Sequence, residues 1–180
     1  MIAFEQCQRF FFGLWIPPLV AQRLSGPPRR GSQLILLGLG LIGNPGLGFE
    51  RLPMLEADFT NLPAGLAPIL SFESKTDPDS PYWNDIRVVP ADLPEAEQRA
   101  LAQRCEALFG RLGLRDYGRF DFRTAEDGTV KLLEVNPNPA WGFDAKLALM
   151  AGFAGWSYAE LLETLVLSAW ARVTRAAEDR

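Results

Sequence analysis

Histidine is absent from this sequence, and that single absence narrows its chemistry. Without an imidazole there is no Ser-His-Asp or Cys-His nucleophile, and the commonest general base and transition-metal ligand are gone. Oxygen-ligated Mg²⁺ chemistry survives, as does phosphoryl transfer, which is catalysed mostly by positioning and charge neutralisation. Cysteine is scarce: Cys7 and Cys105 form no CxxC pair and no metal spacing, so the expectation is a reduced, cytoplasmic protein, with Cys105 at a core-facing helix position. No long block of one charge sign occurs. Lys plus Arg number 18 against 22 Asp plus Glu, a net charge of −4, and Arg29-Arg30 is too short for a basic tract. A nucleic-acid surface is therefore not expected. The apolar run from Phe10 to Val20 has about half the length that spans a bilayer and is broken by Pro17-Pro18. It reads as a buried strand or loop. A secretory signal would need a basic start and a small-residue cleavage site, whereas Glu5 and a lone Arg9 precede the run, so no membrane partner is expected.

What is present suffices for one folding unit: 180 residues, 48% hydrophobic, with 14 prolines and 16 glycines that argue against an all-helical fold. Residues 1–50 are the least readable part. A second apolar run from Leu34 to Ile42 ends at Gly43-Asn44-Pro45-Gly46. Strands are expected at Leu52 to Leu55 and Ile69 to Phe72, and residues 75–94, with four prolines, read as a connecting excursion outside the core. From Pro94 the pattern changes, with Leu101, Cys105, Leu108 and Leu112 at helical spacing and a stop at Gly113. A shorter helix is expected over Ala145 to Ala151. A last one is expected from Tyr158 to Ala171, capped near Trp156 or Ser157, with Leu161, Leu162, Leu165 and Ala169 facing inward.

Between these helices, residues 119–136 read as a β-hairpin around Asp127-Gly128. Period-2 alternation puts Arg119, Asp121 and Arg123 on one face of the first strand, and Leu132, Glu134 and Asn136 on one face of the second. A two-residue turn would pair Glu126 with Thr129, and hence Asp121 with Glu134 and Arg119 with Asn136. Two like charges opposite one another destabilise a sheet, so a divalent cation between them is the simplest expectation. Helices flanking an antiparallel hairpin give an α+β fold, an antiparallel sheet with packed helices.

Arg119-x-Asp121 followed by Glu134-x-Asn136-x-Asn138-Pro139 resembles the metal-binding end of the ATP-grasp ligases, closest to the D-alanine–D-alanine ligase group. The resemblance extends over roughly residues 52–175, taking in Glu73-Ser74-Lys75, Tyr117-Gly118-Arg119 and Gly155-Trp156-Ser157-Tyr158. It implies an ATP-grasp C-terminal subdomain, a partial fold, spanning residues 51–180. It further implies that Asp121, Glu134 and Asn136 are ligands of Mg²⁺ (or Mn²⁺), with Asn136 also at the nucleotide. Arg119 would lie against the phosphoryl group in flight, and Lys75 would reach the transferring phosphate from a neighbouring loop. The implied activity is an ATP- and Mg²⁺-dependent carboxylate–amine ligase that forms an amide through an acylphosphate, with ATP and a small amino acid or carboxylate as partners.

Each signal has a plainer reading beside it. Asp121 and Glu134 could be a solvated pair on a wet hairpin face; Arg119 and Arg123 beside the acid and Asn136 two residues beyond Glu134 weigh against that. Arg119 could merely offset Asp121, and Lys75 could be solvated. Gly38-x-Gly40-x-x-Gly43, with Asp58 about twenty residues on, matches the dinucleotide fingerprint. It is set aside because Asn44-Pro45-Gly46-Leu47-Gly48 cannot open the helix that the fingerprint needs. Trp141 and Phe143 either line a substrate pocket or pack beneath one. Here the sequence departs from the resembled ligases, which carry a Pro-Gly step and then a serine for the substrate carboxylate: Ala140 replaces the glycine, and Phe143-Asp144-Ala145-Lys146 offers no serine. Residues 1–50 show neither the lid lysines nor the acidic hinge of a complete ATP-grasp enzyme. The expectation is a degenerate lid remnant there and a truncated or split ligase lacking an N-terminal lid or substrate domain, the alternative being a non-catalytic remnant or binding subunit with weak metal affinity.

Overall fold

The computed structural model describes residues 22–23, 36–125 and 129–178. They form an antiparallel sheet clad by helices on both faces. Its strands are β1 (Gln22–Arg23), β2 (Leu36–Asn44), β3 (Gly48–Arg51), β4 (Leu55–Asp58), β5 (Arg87–Pro90), β6 (Tyr117–Thr124) and β7 (Thr129–Asn136), in the order β1-β7-β6-β2-β4-β5, with β3 also paired to β2. The helices are α1 (Glu73–Thr76), α2 (Pro81–Asn84), α3 (Glu95–Arg111), α4 (Lys146–Phe153) and α5 (Tyr158–Glu178).

The centre of the sheet is β2, buried along nearly its whole length, as a strand covered on both faces must be. Its odd positions, Leu37, Leu39 and Leu41, join Phe120 and Phe122 of β6 beneath Leu101, Cys105, Leu108 and Phe109 of α3. Full burial of such side chains stabilises by about 1.5–3 kcal/mol each. On the opposite face, Ile42, Leu52 and Leu55 pack against Leu147, Met150 and Ala151 of α4 and Leu161 and Leu165 of α5. The glycines at 38 and 40 make that packing possible. A Cβ on Gly40 would stand 2.9 Å from Leu147 Cδ2 and Met150 Sδ, and one on Gly38 3.1 Å from Leu55 Cδ1. The run that imitates a dinucleotide fingerprint is therefore a strand thinned to admit a helix. Its third glycine, Gly43, opens no helix: φ is 147°, and the chain turns through residues 45–47 into β3.

Four expectations need correction. The strand expected at Leu52 to Leu55 lies at Leu55–Asp58, because Leu52 and Met54 bury in opposite cores on the way in. Ile69 to Phe72 is not a strand: no neighbour pairs with it, and Phe72 is 76% exposed. Residues 75–94 do contribute a core-bordering element, β5, paired to β4 at the edge of the sheet, where Pro90 is tolerated since no further strand among the described residues needs its missing donor. The last helix runs on to Glu178, well past Ala171. Its extra turn is held by Arg172, which donates from Nε and Nη2 to the Asp116 carboxylate at 2.8 Å each. Its start has the reciprocal cap, with Ser157 Oγ accepting from Glu160 N–H and the Glu160 carboxylate accepting from Ser157 N–H.

The boundary expected at residue 50 falls inside β3, and β2 lies in the same sheet as everything after it. The Phe10 to Val20 run, Cys7, Arg29-Arg30 and the Asp127-Gly128 turn lie outside the described residues. Among the described residues no helix is long and apolar enough to cross a membrane.

Candidate active site

The β6–β7 hairpin carries the candidate site on the sheet face that α4 and α5 leave partly open. Asp121 pairs with Glu134 and Arg119 with Asn136, the partners expected from the sequence, so all four side chains share one face. The path to that register differs from the expected one. Near the turn the pairs are Thr124 with Val130, Arg123 with Lys131 and Phe122 with Leu132, and Ala125 N–H donates to Thr129 O at 2.7 Å. Thr129 thus faces Ala125 and not Glu126, one residue off the two-residue turn. An irregularity between Phe122 and Asp121 then takes up Leu133 as an extra residue and restores the register. Strict alternation fails there. Leu132, expected beside Glu134, turns to the α3 core with Val135, while Leu133 joins the site face and lines the cleft.

The cleft encloses about 260 Å³. That is less than the ~300–1,000 Å³ of a complete small-molecule pocket, as expected of one wall of a site. Its polar lining is Lys75, Arg119, Asp121, Arg123 and Glu134, and Leu133 and Ile69 are part of its apolar lining. The two residues expected to meet phosphate, Lys75 and Arg119, thus border the same space although 44 residues separate them in sequence (119 − 75).

Arg119 and Asp121 are partners within this wall. Arg119 Nε donates to the two Asp121 carboxylate oxygens at 2.9 and 3.1 Å, and Nη2 to one of them at 2.7 Å. The plainer reading, that Arg119 offsets Asp121 along the strand, describes this contact, which leaves Nη1 without a partner among the described residues. Glu134 is exposed, and its carboxylate has no hydrogen bond or ion pair among the described residues. Asn136 Oδ1 accepts from Asn138 N–H at 3.0 Å and so shapes the Asn-Pro turn.

The donor set fits a hard divalent cation: two carboxylates and an amide oxygen on one face, all oxygen. Among the described residues no three His, Cys, Asp or Glu side chains gather into a metal cluster. A cation here would rest on Asp121, Glu134 and Asn136 and complete its shell from ligand or water, the usual habit of Mg²⁺.

Trp141 and Phe143 neither pack beneath this wall nor line the cleft. Both are exposed, Phe143 at 78%. Trp141 Nε1 donates to Tyr117 Oη at 3.2 Å, and Tyr117 Oη donates to Asn138 Oδ1 at 2.5 Å, so the tryptophan buttresses the turn that carries Asn136.

One basic residue escaped the sequence reading. Lys146, the first residue of α4, is half-buried beside the site, in the field of Asp121, Arg119, Lys75 and Glu134. Burial, above all, holds its ammonium below the usual lysine range; Arg119 and Lys75 push the same way, against Asp121 and Glu134. A signal was available. The chain has three lysines among its 18 basic residues, and two of them, Lys75 and Lys146, meet here.

Comparison with known proteins bears on the family and the fold. The family described as D-ala D-ala ligase C-terminus matches residues 69–167, just over half of the chain. This chain belongs to that family. Among its curated relatives are the vancomycin C-type resistance protein VanC2 of Enterococcus casseliflavus, 35% identical over 81 residues (45% of this chain, 23% of the relative). Another is the vancomycin B-type resistance protein VanB of Enterococcus faecalis, 28% identical over 130 residues (72% of this chain, 36% of the relative). The chain thus spans about a quarter to a third of these relatives. The structure of D-alanine–D-alanine ligase from Bacillus anthracis complexed with ATP superimposes with a TM-score of 0.55 at 17% identity, covering 79% of this chain and 38% of that one. The fold is therefore that of the C-terminal ATP-grasp subdomain of the D-alanine–D-alanine ligases, of which this ligase-family chain covers part.

Proposed function

We propose that this chain carries the metal- and phosphate-handling wall of an ATP-dependent carboxylate–amine ligase, joining a small carboxylate to an amine through an acylphosphate. The observation that carries the proposal is the direct pairing of Asp121 with Glu134 on the open sheet face, with Asn136 opposite Arg119 and Lys75 across the same cleft. Opposed carboxylates are an unfavourable arrangement for a sheet, and Glu134 makes no ion pair among the described residues. A bound Mg²⁺ or Mn²⁺ held by Asp121, Glu134 and Asn136 would supply charge neutralisation on phosphate oxygens.

The chain's own residues do the rest. Arg119 holds the Asp121 carboxylate in place with three donor contacts and keeps Nη1 for a phosphate oxygen, a task suited to its fixed fork. Lys75 adds a point charge to the cleft from α1. Leu133 and Ile69 keep part of the wall apolar, which strengthens the electrostatics beside them. Residues 51–180 make up the catalytic subdomain in this reading, with β2 contributed from before it. A second reading, a binding subunit without turnover, is favoured by the cleft's small volume and by the engagement of Asp121 with Arg119.

Isothermal titration with Mg²⁺ and a non-hydrolysable ATP analogue tests the proposal. Binding that needs both components, and that disappears in Asp121→Asn, is the expected result. Heat identical in wild type and variant would refute it. Phosphate release in the presence of D-alanine would then separate ligase from binding subunit.

A further inference from the structure

Charged residues on the open face of the hairpin lie in rows. Across β6 and β7, Arg119 stands opposite Asn136, Asp121 opposite Glu134, and Arg123 opposite Lys131. The last pair sets two cations directly against each other, which is as unfavourable in a sheet as two opposed acids. A regular ladder would have avoided it. Counting on from Asp121 opposite Glu134, Leu132 would oppose Arg123; the irregularity that takes up Leu133 brings Lys131 there instead. An apolar partner is thus exchanged for a like charge.

Nothing among the described residues neutralises this pair. Arg123 is half-buried and lines the cleft, Lys131 is exposed on the same face, and neither side chain makes a hydrogen bond or ion pair among the described residues. The neighbouring acids do not take them up: Asp121 is held by Arg119, and Glu134 makes no ion pair among the described residues. The row continues through Leu36 of β2 and Ala57 of β4, both part of the apolar lining of the cleft, so no acid interrupts it. An anion entering here meets the planar donor fork of Arg123 and the point charge of Lys131 beside an apolar flank that strengthens both. Two cations match a doubly charged phosphate better than a singly charged carboxylate. The row lies about 6–7 Å beyond Asp121 along the strand, on the side away from Arg119. Its phosphate is therefore not the one that Arg119 and Lys75 would meet.

We propose that Arg123 and Lys131 form a second phosphate subsite, on the opposite side of the Asp121–Glu134 row from Arg119. The subsite stands on the charge pattern of the hairpin; that its phosphate can belong to a nucleotide rests on the ligase reading, and the test separates the two. Isothermal titration of the full chain with inorganic phosphate, without metal, should show saturable binding that weakens about tenfold or more in Arg123→Met and in Lys131→Met, with partial recovery in Arg123→Lys. Glu134→Gln should not weaken it. Adding Mg²⁺ and a non-hydrolysable ATP analogue to the phosphate-saturated chain identifies the source: displacement of phosphate assigns the subsite to a phosphate of the nucleotide, and joint binding assigns it to a separate phosphate. Without ligand, the urea midpoints of Arg123→Met and Lys131→Met should be unchanged or higher, because removing either charge relieves the repulsion. The proposal is overturned if phosphate does not bind, or binds wild type and both variants alike. It is equally overturned if both variants melt at lower urea, since partners within the protein would then hold the two cations. An Arg123-dependent phosphate site in a chain that does not bind Mg²⁺ and the analogue would uphold the subsite and refute the ligase reading. Analogue binding that needs Asp121, with phosphate indifferent to Arg123 and Lys131, would do the reverse.

Discussion

Two charged clusters share strand β6, and one is finished within the protein while the other is not. Where the chain enters β6, Asp116 holds a left-handed backbone (φ 67°), and its N–H, its carbonyl and its carboxylate all have partners. Its N–H donates to Asn44 Oδ1 at 3.0 Å, its carbonyl accepts from Gly43 N–H at 2.8 Å, and its carboxylate accepts from Asn44 and Arg172. Asn44 also donates to Ser168, so the hub ties β2, β6 and α5 together. Five residues further on, Asp121 meets Arg119, but Glu134, Lys75 and Lys146 are left without partners among the described residues. A cluster that satisfies itself serves the fold, and the one that leaves charges over is, in our proposal, the one that serves a ligand.

The largest effect that can break this comparison is at the hub. Asp116→Ala removes charge-assisted hydrogen bonds and puts a Cβ-bearing residue without a compensating side chain in the left-handed region, so about 3 kcal/mol of stability should be lost in urea melts. A loss under about 1 kcal/mol, the usual worth of an exposed pair, would mean the hub is ornamental. Next comes the seat of α4. Gly40→Val should cost about 1–3 kcal/mol in urea melts by overpacking against Leu147, Met150 and Leu52. An unchanged stability would mean that the seat of α4 does not need the bare backbone of Gly40.

Acid stability gives a smaller and sharper contrast. Arg172, above all, with help from Asn44, holds the Asp116 carboxyl below its ordinary range. Because the folded value lies below the unfolded one, near 4, this stabilisation is complete above about pH 4 and is lost as pH falls through the folded value. Arg172→Met should therefore flatten the acid limb of a stability–pH curve. An unaltered slope would assign that limb to other carboxylates.

How far the sequence could be read follows the same division. Asp121, Glu134, Arg119 and Asn136 were legible because alternation and one turn signal dictate a shared face. Yet the pairing came out right through two offsetting errors, a turn one residue longer than expected and the extra residue Leu133. Periodicity cannot see a bulge, so Leu132 was placed on the wrong face. The α3 helix was legible from its apolar spacing, whereas the end of α5 was not, because Arg172 looks like a solvated residue until Asp116 is found beside it. Lys146 was missed for a similar reason: an isolated lysine carries no pattern, and its meaning comes from burial and from neighbours distant in sequence.

The smallest effect on the fold carries the most weight for the site. Glu134→Gln keeps the side chain's shape and removes one of two opposed charges, so stability without metal should change by no more than about 0.5 kcal/mol, in the favourable direction. The decisive measurement is the thermal midpoint of wild type and Glu134→Gln with and without Mg²⁺ and a non-hydrolysable ATP analogue. At ligand a hundredfold above Kd, binding contributes about 2.7 kcal/mol, or roughly 5–10 °C for a chain of this size. The wild type should show that rise and the variant should not; equal rises in both would contradict the assignment of Asp121 and Glu134 as the cation-holding pair.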